Sequence, residues 1–255
     1  MADHPTASII ISMHHVVKVG FLVFFLSAPA HGKVCSDPVH LTFDVGNMST
    51  SDYVAQVLKE KNIRARFFLA NNPTSSGSNA LTQHWGRYWQ TRVNEGHEFG
   101  NHTWSHYFVR SDIGNDRIKA YSQNGSLVRL NKQSYCQELK KVKNTFYRLT
   151  KHNIDNVWRA PAGRTTQNSI RWATECGYPE HMGWSSAGYI RDDLPSEQLS
   201  NEDLLEKAVS TVKPGDIILM HLGTWKRKIQ AAKILPRLVD ELRARGMCFT
   251  PLIAE

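Results

Sequence analysis

Four stretches of the 255-residue chain end in side chains suited to acid–base or metal chemistry. Val39-His40-Leu41-Thr42-Phe43 leads to Asp44, and Glu98-Phe99-Gly100-Asn101 leads to His102, with His106 four residues on. Asn156-Val157-Trp158 leads to Arg159, and Asp216-Ile217-Ile218-Leu219-Met220 leads to His221. A carboxylate can take a proton, and an imidazole can give or take one near neutral pH. Two neutral imidazoles can also converge on one divalent ion. Each residue has an ordinary reading as well. With 12 His in the chain, one pair spaced by four is a common coincidence. Asp44 alone suits a turn, Arg159 an ion pair, and His221 a hydrogen-bonded core position. Their shared place at the ends of β-rich runs sets them apart.

The intervening sequence predicts how those ends are positioned. Ser49, Thr50 and Ser51 can cap a helix carrying Tyr53, Val54, Val57 and Leu58 at helical spacing. Arg66 to Ala70 reads as a second strand, 71–79 as a polar loop, and Leu81 to Val93 as a helix bearing Trp85, Tyr88 and Trp89. Residues 107–131 have weak periodicity and read as an excursion. Helices are predicted over Ser134–Lys151, Thr166–Cys176, Asn201–Val212 and Ile229–Arg245, the last kinked at Pro236. Strands are predicted over Met182–Tyr189 and Met247–Ile253. Alternating strands and helices predict an α/β fold with a parallel sheet and outer helices. About 220 residues in about seven βα units suit a barrel, whose functional groups gather at the C-terminal strand ends.

Composition narrows the classes. Lys and Arg number 31 against 23 Asp and Glu, giving a net charge of +8, and 41% of residues are hydrophobic. That excludes wholesale disorder and a polytopic membrane protein. The one strongly apolar stretch, Val19 to Leu26, follows Lys18 and precedes Ser27-Ala28-Pro29-Ala30. It resembles a secretory signal peptide over residues 1–30, cleaved near Ala30, with Met13 as an alternative start and a retained anchor as the other reading. It is too short to span a bilayer, which takes about 20 apolar residues. The expected product is residues 31–255, secreted or periplasmic, with no integral membrane span. A basic exported chain can be drawn to an anionic polymer, but nucleic acid is a poor partner. The cluster Lys226-Arg227-Lys228 reads as a solvated helix start. Four cysteines, none in CxxC spacing, permit disulfides. If the first and last strands are neighbours, Cys35–Cys248 would tie the chain ends together.

Taken in order, His40-Leu41-Thr42-Phe43-Asp44, Gly96-His97-Glu98-Phe99-Gly100-Asn101-His102-Thr103-Trp104-Ser105-His106, Trp158-Arg159-Ala160-Pro161-Ala162-Gly163 and Gly215–His221 resemble the motifs of polysaccharide deacetylases, the NodB-type carbohydrate esterases of family four. The resemblance runs from about residue 36 to the end. It implies a distorted (β/α) barrel of about seven parallel strands that removes acetyl groups from an N-acetylglucosamine polymer, using a divalent metal such as zinc. Peptidoglycan is expected ahead of chitin. By the same resemblance His102 and His106 would be metal ligands, Asp44 the general base, Arg159 the residue that keeps Asp44 ionised, and His221 the general acid. The backbone N–H of Ala162 would help stabilise the oxyanion.

Two positions depart from the family pattern. Val45 stands where the family has its third metal ligand, so Asp44, Asn47, Asp52 or the Asp192-Asp193 loop would have to supply another oxygen. Gly183-Trp184-Ser185-Ser186-Ala187-Gly188 lacks the Asp that tunes the acid histidine, with no carboxylate before Asp192. Whether another carboxylate partners His221 is left open; without one, its proton affinity would suit acid catalysis less well near neutral pH. These losses raise the alternative of a catalytically impaired carbohydrate-binding relative with a depleted metal site. A barrel that hydrolyses a different acyl or amide bond is a third reading. Trp85, Trp89, Trp104 and Trp184 could stack on sugars or fill the core, and His97 reads as loop support. The 71–79 loop and the 107–131 excursion could shape a substrate groove or be plain surface.

Overall fold

The computed structural model describes residues 1–2 and 35–252; the apolar stretch and the Ala30 site lie outside them. From Cys35 the order is β1 (Pro38–Asp44), α1 (Ser51–Glu60), β2 (Arg66–Leu69), α2 (Gln83–Asn94) and β3 (Glu98–Asn101). Then come β4 (Phe108–Ile113), β5 (Arg117–Tyr121), β6 (Leu127–Leu130), α3 (Lys132–Thr150), β7 (Val157–Trp158) and α4 (Gln167–Glu175). The unit closes with β8 (Glu180–His181), α5 (Asn201–Thr211), β9 (Ile217–His221), α6 (Leu235–Ala244) and β10 (Cys248–Phe249).

Seven parallel strands form one sheet in the order β10-β1-β2-β3-β7-β8, with β9 on β1. Strands buried on both faces need continuous apolar runs, and β2 is wholly buried. Between β8 and β9 the ring is completed by irregular backbone. Ser185 N–H donates to Ile217 O (3.1 Å), Leu219 N–H donates to Gly188 O (3.0 Å), and Tyr189 bridges Leu219 in parallel. Helices α3, α4 and α5 begin with reciprocal side-chain caps at Asn131, Thr166 and Ser200. The core under them is aromatic, with Phe43, Phe67 and Phe99 in stacked sequence, Trp89 edge-on to Phe99 and Phe146 tilted against it.

Several expectations are corrected. The 107–131 excursion is an antiparallel meander, β4-β5-β6. The predicted strand over Met182–Tyr189 is replaced by two-residue β8, because the chain there must bend across the seam. Pro236 does not kink a helix; it lies in the first turn of α6, where its missing N–H leaves no bond unmade. Lys226-Arg227-Lys228 starts no helix, and Arg227 is buried.

The chain ends are tied as expected. Cys35 and Cys248 are disulfide-bonded across 213 positions, and the remaining pair, Cys136–Cys176, staples α3 to the end of α4. A bond closing so long a loop removes much unfolded-chain entropy, so Cys248→Ser is expected to cost about 2–5 kcal/mol, read as a lower midpoint in denaturant.

Candidate active site

Parallel pairing in register places Asp44 beside His221 on neighbouring strands, so both side chains emerge at the same end of the barrel. His102 follows β3 directly, and Arg159 follows β7. These residues line, or stand directly behind, a pocket of about 370 Å³. Its wall includes Asn72 from the 71–79 loop, Phe108 and Gln123 from the meander, and Trp184, Tyr189, Trp225 and Lys226. Both loop regions therefore shape the groove. Of the four tryptophans considered for stacking, Trp184 faces the pocket, while Trp89 is core and Trp85 and Trp104 pack partly against it. His97 supports the loop, accepting the Ala65 N–H at Nδ1.

Asp44 is buried and receives Arg159 Nη1 at 2.9 Å. Arg159 also donates to Thr42 Oγ1 and to the carbonyls of Met182 and Gly183, so its whole fork is engaged. Burial alone would raise the Asp44 carboxyl, but attraction to the cationic Arg159 and His221 outweighs it and holds the pKa below the ordinary value. Arg159→Met would leave a buried carboxylate without its cation. The expected loss is about 3–5 kcal/mol, measured by thermal melting.

His102 Nδ1 lies 2.8 Å from the Arg159 carbonyl, an acceptor only, so that nitrogen carries the hydrogen. Burial lowers the ring's pKa and favours its neutral form. Its Nε2 then presents a lone pair to Asp44 Oδ2 at 3.3 Å, with no hydrogen between them. The His106 ring centre is 4.8 Å from that of His102, its Nδ1 is buried without a partner, and burial pushes its pKa down to about 3. Two neutral imidazoles beside a carboxylate fit a divalent transition ion chemically. The fit is incomplete, because among the described residues no three His, Cys, Asp or Glu side chains are arranged to hold a metal ion.

The other candidates for the missing ligand are mostly committed elsewhere. Val45 is buried in the hydrophobic cluster. Asn47 Oδ1 accepts the Ser49 N–H, and Asp52 is exposed on α1. Asp192 Oδ1 lies 2.8 Å from His221 Nδ1, and its Oδ2 accepts the His221 N–H. Asp193 accepts the Tyr189 hydroxyl. Asp44 is the remaining carboxylate next to an imidazole lone pair.

The partner that the sequence left open for His221 is Asp192. The seam residues 185–189 run alongside β9 and deliver Asp192 to its end. Burial pulls the imidazole pKa down, but the Asp192 carboxylate overrides this and raises it to about 9. His221 thus carries its proton at neutral pH. The sequence signal was there, since Asp192 was the first carboxylate after the departing motif, but nothing local announced its reach.

Ala162 borders the pocket in a turn with φ of 55°, and its N–H takes no part in the turn's backbone bonds. Gly163 beside it has φ of 65°, and a Cβ there would meet Trp184 at 2.8 Å. The bare backbone lets the indole lie against the turn.

The chain is 25% identical over 215 residues to a peptidoglycan-N-acetylglucosamine deacetylase of Bacillus cereus, covering 84% of this chain and 66% of that one. It thus spans just under two thirds of that relative's length. A family 4 carbohydrate esterase from Streptomyces lividans, solved with acetate, superposes with a TM-score of 0.63 at 18% identity over 86% of this chain and 94% of that one. A family 4 pseudoenzyme from Bacillus anthracis superposes equally broadly, with a TM-score of 0.62 at 18% identity over 85% and 64% of the two chains. The model for polysaccharide deacetylases matches residues 31–181, more than half the sequence, a span that includes Asp44, both ring ligand candidates, Arg159 and Ala162. The chain belongs to the polysaccharide deacetylase family.

Proposed function

We propose that the protein removes N-acetyl groups from N-acetylglucosamine units of an extracellular polymer, with peptidoglycan ahead of chitin. The observation that carries this is the pairing of two differently tuned groups across one pocket. Asp44 is held ionised by Arg159, and His221 is held protonated by Asp192. Environments that push two titrating groups apart assign a base and an acid. Asp44 would take the proton of the attacking water, and His221 would give one to the departing amine. The Ala162 N–H would donate to the oxygen that gains charge. His102 and His106 would hold a divalent cation, zinc being one of the ions that imidazole suits, which when bound lowers the pKa of water and polarises the amide carbonyl. The preference for peptidoglycan is supported by the Bacillus cereus relative's substrate. Export, with cleavage near Ala30 leaving a 31–255 domain, is supported by two disulfides, which persist in oxidising compartments.

The test is acetate release from peptidoglycan and from chitooligosaccharides with zinc or cobalt supplied. Acetate from peptidoglycan that is lost in chelator supports the proposal; no acetate from either polymer removes it. Val45 favours one second reading, a glycan-binding relative that turns over little because it retains little metal. It predicts substoichiometric metal and glycan affinity indifferent to chelator. One metal ion per chain, lost in His102→Ala, counts against it.

A further inference from the structure

The loop after β9, Gly223 to Gln230, carries an aromatic side chain that the catalytic argument does not use. Trp225 is 65% exposed, yet it lines the pocket together with Lys226. Its uncovered indole can stack on a ligand that enters the pocket.

The backbone beneath it is built to hold it there. Arg227, 3% exposed, donates to the carbonyls of Leu194 and Ile229 and to Asn201 Oδ1. Gln230 donates to the carbonyls of Thr224 and Arg227 and accepts the Thr224 N–H, so its one amide closes the loop from both sides. An aromatic ring on a fixed loop loses little freedom when a ligand covers it.

Charge separates the rim from the floor. Of the pocket's two carboxylates, Asp44 is buried against Arg159, and half-buried Asp193 accepts the Tyr189 hydroxyl. Lys226 is exposed and, among the described residues, pairs with no carboxylate, whereas its neighbour Lys228 is occupied by Glu197. A free ammonium beside an uncovered indole suits a pyranose ring bearing an anionic substituent.

We propose that Trp225 and Lys226 form a rim subsite for the sugar adjoining the one whose acetyl group meets His221, and that this neighbour carries a carboxylate. The inference rests on the deacetylase reading and narrows its substrate to a polymer alternating N-acetylglucosamine with an acid-bearing hexosamine.

The test is calorimetric binding to the full chain carrying His221→Ala, which prevents turnover. The two probes are a neutral N-acetylglucosamine tetrasaccharide and a tetrasaccharide in which every second sugar bears a lactyl carboxylate. The acidic glycan should bind about three- to five-fold more tightly, as an exposed ion pair allows. Lys226→Met should erase that margin and leave the neutral glycan unaffected, and Trp225→Ala should weaken both by about ten-fold. Equal binding of the two probes, a margin that survives Lys226→Met, unaltered affinities in Trp225→Ala, or no binding of either probe overturns the proposal. Acetate release by the unsubstituted chain is read in parallel. Acetate without a carboxylate margin removes the subsite alone, whereas a Lys226-dependent margin without acetate removes the deacetylase reading alone.

Discussion

Asp192→Asn is expected to bring the alkaline limb of activity down from near pH 9 toward the ordinary histidine value of 6.5, because burial then opposes only the weaker pull of Asp44 and Asp193. The sign follows from the pairing. With Asp192 charged, His221 keeps its proton through neutrality and releases it only as pH rises through about 9. Without that charge the ring falls back toward 6.5, and at pH 8 about one ring in thirty would then be protonated, a rate loss of roughly 30-fold. Acetate release across pH 5–10 is the measurement. An unshifted limb would show that His221 is not the donor. Linkage gives the same pairing a stability signature. Its contribution is complete below pH 6.5 and fades as pH rises through about 9, so the wild-type melting temperature should lose that increment at high pH and the variant should not.

Val45→Asp is the second large effect. By the family resemblance Val45 stands where a third metal ligand would be, and it is 1% exposed among apolar neighbours. A carboxylate there would add a third protein ligand, and an affinity gain of at least about 10²-fold is expected for zinc, read by calorimetry. The same carboxylate is uncompensated without metal, so the metal-free variant should melt below wild type. Zinc should then raise its melting temperature further than it raises that of wild type. Equal zinc affinity in the two proteins would mean that wild type already has its third ligand, with Asp44 the nearest candidate.

The strand ends were legible because a parallel sheet converts four separate sequence endings into one cluster. Asp44 and His221 lie 177 positions apart and still share a register, since each terminates an apolar run. The Cys35–Cys248 bond was legible for the same reason, as β1 and β10 lie side by side. What escaped was set by contacts with no local signature. Asp192 reaches His221 through a bridge between Tyr189 and Leu219 that no periodicity announces. The meander over 107–131 was obscured because its strands are half exposed, with a bulge between Val109 and Ser111 that breaks the alternation. Arg227 looked like a surface charge and is a buried clamp, a distinction made by Leu194 and Asn201 far away in sequence.

On the proposed mechanism, the seam between β8 and β9 would make acid catalysis hostage to the weakest joint of the ring. Few main-chain bonds cross it, and Ser185 Oγ must substitute as acceptor for the Ile217 amide. Local opening is cheapest where the ladder is thinnest, so amide exchange at Leu219 should outpace that at Phe67 or Phe99. Each such opening would draw Asp192 away from His221 while the remaining strands stay zipped. Mild heat should therefore silence the proton donor well before the barrel melts.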